Sequence, residues 1–142
     1  MREPLRDADS PVLVTQLPYA LSVTTFRFAA LAALAGRAPI GGQREVALAT
    51  YLAARLADDV RSARNLSPAT RAERAGSARS WMSNLALPNT VRPALVRLVE
   101  ASANDTADTA RALRVVIGVT ATLLDSGAQS ELERLATALE QS

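Results

Sequence analysis

"QREVALATYLAARLADDVRSARN", residues 43–65, repeats leucine or valine at every fourth position. Leu48, Leu52, Leu56 and Val60 form a stripe that a helix brings onto one side. Alanine fills many of the gaps, and both alanine and leucine are strong helix formers. The stretch predicts an amphipathic helix. The same signals recur outward from it in both directions.

Upstream, Pro18 suits the first position of a helix, where its missing N–H is not needed. Tyr19, Val23, Phe26, Ala30 and Leu34 follow helical spacing, with Leu21, Phe28 and Leu31 on other sides. Gly36 and Pro39 end that helix, placing it over 18–36. Before it, Ser10 and Pro11 open a short turn through Leu17, and residues 1–10 are polar and extended.

Downstream, Ser67 is an N-cap and Pro68 a first helical residue, which starts a third helix over 68–86. It passes from alanine and arginine to Trp81, Met82 and Leu85. "LPNTVRP" at 87–93 breaks the chain. A helix follows to about Ala103, with Val91, Leu95, Leu98 and Val99 on one face and Pro93 tolerated in its first turn. Asp105 caps a further helix, 105–126, whose segment "VVIGVTATLL" (115–124) is apolar on nearly every side. That reads as a central helix, with Gly118 admitting a neighbour's backbone and Gly127 as the stop. Ser130 and Glu133 match a capping box for the last helix, whose stripe is Leu132, Leu135, Ala136 and Leu139.

Strand signals are scarce, and 142 residues suit one domain. The expected fold is all-α: a single-domain bundle over 1–142 of about six helices. Five are long, a short N-terminal turn precedes them, and most are antiparallel with short loops.

Composition removes much chemistry. All sixteen basic residues are arginine, and the chain has neither histidine nor cysteine. Histidine-based zinc, di-iron and Ser-His-Asp sites are therefore excluded, as are thiolate ligands, disulfides and haem ligation by His or Cys. A Ser-Lys dyad is excluded as well. No glycine-rich phosphate loop is present, and no cofactor is expected. Asp58 and Asp59 are adjacent, but neighbours on a helix point about 100° apart and do not readily share an ion. The catalytic reading that survives has arginines holding a dianionic substrate. It lacks a nucleophile, so an enzyme is not the preferred reading.

Residues 11–36 are apolar and long enough to be checked as a membrane span. Pro18 and Arg27 interrupt them, and an arginine near the centre costs about 2.5–3.5 kcal/mol on insertion scales. A membrane partner is not expected. The mixed charges of "MREPLRDADSP" do not resemble a signal peptide. Without cysteine, the expected location is cytoplasmic.

The net charge is only +2, but it is unevenly spread. Residues 37–97 are strongly basic and residues 98–142 acidic, which suggests complementary contacts within the fold or with a partner. In the Arg-rich region 55–79, wheel geometry puts Asp59 inside the leucine stripe and Asp58 on the polar side. A carboxylate facing a core needs pairing. Arg55, one turn earlier, is the local candidate for a polar core pair with Asp59. On the third helix, Arg71 and Arg74 share the face of Trp81 and Leu85, with Arg79 to one side. That helix's first half is expected at the bundle rim or against a partner. Arg64 completes the set of candidate interaction residues.

Three roles compete for these arginines. They pair with acids of the same fold or of a second copy, they form a protein-binding surface with Trp81, or they neutralise phosphates. Asp58, Asp59 and Glu73 interrupt the basic run and weigh against the last. The expected function is a non-catalytic protein–protein interaction module: a small accessory or structural subunit, or a self-assembling helical protein. The alternative is a nucleic-acid-binding helical subunit of a larger complex, using region 55–79. Helices 18–36 and 105–126 both look too apolar for an exposed face, so one is expected at the centre and the other at an interface with a protein partner or in a homo-oligomer.

Overall fold

A computed structural model describes residues 43–62 and 67–141 of the chain. Every described element of regular structure is a helix: α1 (Gln43–Ser62), α2 (Pro68–Met82), α3 (Arg92–Ser102), α4 (Thr106–Val119) and α5 (Ser126–Glu140). The readings of residues 1–10, of the turn 10–17, of helix 18–36 and of Arg64 lie outside the described residues.

The helices pack in chain order, α2 on α3, α3 on α4 and α4 on α5, while α1 packs against all four. This makes α1 the central element. No residue from Val46 to Ala54 is more than 5% exposed. The leucine stripe accounts for one side of that helix. The others are lined by Ala47, Ala49, Ala53, Ala54 and Ala57, all fully buried. A side chain of one carbon lets a neighbour approach closely and costs no rotamer entropy. The apolar run within 105–126 reads as a central helix, but among the described helices it is α1 that packs against all the others. Alanine does not register as a hydrophobic stripe, yet it encloses as well as leucine when the neighbour comes close.

Helix α4 is correspondingly one-sided. Ala110, Ala112, Leu113 and Val116 are buried, but Val115 is 56% exposed. Gly118 faces open space, with no atom within 4 Å of where a Cβ would stand, so it admits no neighbouring backbone.

The ends of α4 and α5 also differ from the sequence expectation. Helix α4 starts as expected, with the Asp105 side chain accepting from the Asp108 N–H at 2.7 Å. It stops at Val119 instead of running to 126. The Thr120 hydroxyl donates to the Val116 carbonyl at 2.7 Å. The Gln129 amide then donates to the Thr120 carbonyl at 3.1 Å, so α5 supplies a partner at the end of α4. Leu124 turns into the core, which explains an apolar run that is not helical. The cap of α5 is Asp125, accepting from the Ala128 N–H at 2.9 Å, not the Ser130–Glu133 box. Gly127 falls within the first turn of α5 rather than stopping α4.

Helix α2 ends at Met82, four residues earlier than expected, and Leu85 lies in the connection. Arg92 holds that connection, donating to the carbonyls of Met82, at 3.0 Å, and Leu85. Glu45 of α1 accepts from the Ala86 N–H at 2.9 Å. In the first half of α2, Pro68, Ala69, Ala72 and Glu73 are exposed and only Ala75 is buried, so that half lies largely at the rim, whereas Ala78 and Met82 enter the core.

Candidate functional site

Arg55, Asp59 and Arg74 meet where α1, α2 and the end of α3 converge. Arg55 lies one turn before Asp59, and its Nη1 donates to Asp59 Oδ1 at 3.4 Å. Arg74 enters from α2, and its Nη1 donates to Asp59 Oδ2 at 3.5 Å. Asp58 also faces Arg55, at 3.6 Å. The wheel placed Asp59 inward and Asp58 outward, but Asp58 is the more enclosed, with its side chain 7% exposed against 17%. The reason is the enclosure of α1: its supposed polar side is covered.

Burial raises the Asp59 carboxyl above the ordinary aspartate range, and Arg55 and Arg74 only partly offset it. The contacts are at the long limit of hydrogen bonding, so the guanidinium groups do not fully replace the lost water.

Arg71 stands one turn before Arg74. Its Nε is buried and has no hydrogen-bond partner. With Leu56, Asp59, Val60, Arg74 and Ser102 it lines a cavity of about 10 Å³. That is on the scale of a single water molecule, too small for a substrate. The cluster is therefore a polar junction between helices.

The other candidates lie elsewhere. Trp81 is half-buried and packs on the core, about 15 Å along α2 from Arg71. Arg71 and Arg74, by contrast, line the cavity beside Asp59. Arg79 contacts Glu100 of α3 at 3.4 Å, and both side chains are about half exposed. Among the described residues, carboxylate contacts also engage Arg97, Arg111, Arg114 and Arg134. Some cross the boundary between the basic and acidic parts of the chain, as Arg79–Glu100 and Arg97–Asp108 do; others stay within one part. No group of three potential metal ligands is found among the described residues. No described helix is long and apolar enough to cross a membrane.

A second polar cluster was not singled out by sequence. Asp108, in the first turn of α4, accepts from Arg97 Nη2 at 2.6 Å and from Asn104 Nδ2 at 3.2 Å. These hydrogen bonds, with Arg97 first, hold its carboxyl below the ordinary range. The signal available in sequence was an acid near a positive helix end; the Arg97 contact, eleven residues away, had none.

The two aspartates should respond to acid in opposite ways. Asp108 has a folded pKa below its unfolded value. It contributes stability above about pH 4, and this is lost as pH falls through the folded pKa. Asp59 has a raised folded pKa, so the folded state gains relative stability as pH falls through that value. Asp108→Asn is expected to lower the melting temperature at pH 7 and to lower it less at pH 2. Asp59→Asn is expected to leave it unchanged or raise it at pH 7. Thermal melts at the two pH values check both.

Comparison with protein-family models, curated proteins and solved structures found no match to this chain.

Proposed function

We propose that the protein is a non-catalytic helical module that acts through contacts with other proteins or with copies of itself, in the cytoplasm. The observation that carries this reading is the exposure of Val115 on α4. Val115 is the one exposed large hydrophobic residue among the described residues, with Gly118 open one turn later. Ile117 and Val119 in the last turn of α4, and Leu123 just beyond it, are half-buried and pack against the core. The composition supports the same reading, since neither a histidine nor a thiol is available for catalysis. The nucleic-acid alternative is weakened by the carboxylate contacts of Arg55, Arg74, Arg79, Arg97, Arg111, Arg114 and Arg134. Charge engaged within a fold is less available to phosphate.

Light scattering coupled to size exclusion tests self-association, and pull-down with quantitative identification tests a different partner. Val115→Ser is expected to shift the assembly toward monomer, or to lose a captured protein, with the melting temperature unchanged. A wild-type monomer at micromolar concentration that captures no protein overturns the reading. Salt-sensitive retention of that monomer on heparin would then favour the nucleic-acid alternative.

A further inference from the structure

We propose that the small cavity between α1, α2 and α3 is a binding site for one ordered water molecule, which joins the three helices through hydrogen bonds to Asp59, Arg71 and Ser102. The cavity is about 10 Å³, and α1 contributes Leu56, Asp59 and Val60, α2 Arg71 and Arg74, and α3 its last residue, Ser102. An internal water needs about 10–15 Å³ of such space and two to four polar partners. The volume meets the lower limit, so the polar groups decide the occupant.

One of these groups is a donor that needs an acceptor. Arg71 Nε is buried and has no hydrogen-bond partner among the described residues. A buried donor left unpaired is costly. The other two groups are acceptors with capacity left. The buried Ser102 hydroxyl gives its own proton to the Val99 carbonyl at 2.6 Å, and its oxygen can still accept. The Asp59 oxygens meet Arg55 and Arg74 only at 3.4 and 3.5 Å, and each can accept a further bond.

One donor and two acceptors define the ligand. A water accepts the Arg71 Nε–H and donates its two protons to Asp59 and Ser102. That makes three bonds, the usual number for an internal water. A halide could only accept, and it would meet the Asp59 carboxylate with like charge. A cation could not accept from Nε and would face Arg71 and Arg74. Any larger neutral molecule exceeds the space. The inference is independent of the protein-contact reading, because it concerns the joint between helices.

Crystallography and NMR of the full chain test it. The electron density is expected to show one peak within about 2.7–3.2 Å of Arg71 Nε, Ser102 Oγ and an Asp59 oxygen. In solution, the Arg71 Nε–H is expected to show a nuclear Overhauser effect to water. Arg71→Met keeps an unbranched stem and removes the donor, and it is expected to abolish the density peak. Glu73→Gln, at an exposed position of the same helix, is the control and should retain it. Bromide soaked into the crystals would replace a bound halide and give an anomalous signal, and none is expected in the cavity. A bromide signal there overturns the proposal. So does a cavity without a density peak, or a peak that Arg71→Met leaves unchanged. Should Arg71→Met fail to fold, the wild-type density and the bromide soak decide alone.

Discussion

Leu52→Ala is expected to destabilise the protein by about 3–5 kcal/mol. Leu52 is fully buried at the middle of α1, the helix that packs against the other four. Removing its side chain loses the transfer free energy of the deleted carbons. It also leaves a cavity whose walls belong to an enclosed helix and relax little. For a chain near this size the loss corresponds to a fall of roughly 10–20 °C in melting temperature. Urea denaturation reads the same quantity as a lowered midpoint at unchanged slope. Ser77→Ala, at an exposed position of α2, is the control and should stay within about 0.5 kcal/mol. Equal effects of the two substitutions would reject the central placement of α1.

Ala54→Leu tests the same placement from the other direction. Ala54 lies about 180° around α1 from the middle of the leucine stripe and is fully buried. An amphipathic helix would expose this position, and leucine there would be neutral. An enclosed helix must accommodate three added carbons against close neighbours. That costs typically about 1–3 kcal/mol, and more where the backbones touch. Ala72→Leu, on an exposed position of α2, supplies the comparison and should be nearly neutral. The pair is read by the difference in urea midpoint, and a neutral Ala54→Leu would show open space behind α1.

Much of the fold was legible in sequence because helix boundaries rest on local chemistry. Ser67 with Pro68, and Asp105, each satisfy N–H groups within the next turn, so their signals lie in adjacent residues. What was illegible depends on partners distant in sequence. The stop of α4 involves Gln129, and the shape of the 83–91 connection depends on Arg92 and Glu45. The burial of Asp58 depends on the covering of α1's alanine side, which no wheel drawn on α1 alone can reveal.

The same limit governs the candidate site. Arg55 before Asp59 is a one-turn pair and can be read from spacing. Arg74 reaches Asp59 only because α2 folds back beside α1, and Arg97 reaches Asp108 only because α3 ends beside the start of α4. Arginine content gave the number of positive charges, but their partners are tertiary.

The central position of α1 also sets a problem of timing. It is the first of the five described helices along the chain, and its four neighbours follow it. At a synthesis rate of about 5–20 residues per second, the stretch from Ser62 to Glu140 takes roughly 4–16 s to appear. During that interval the segment destined for the interior gains its later neighbours one at a time and has them all only at the end. Until then its leucines and alanines present apolar surface of the kind that promotes aggregation.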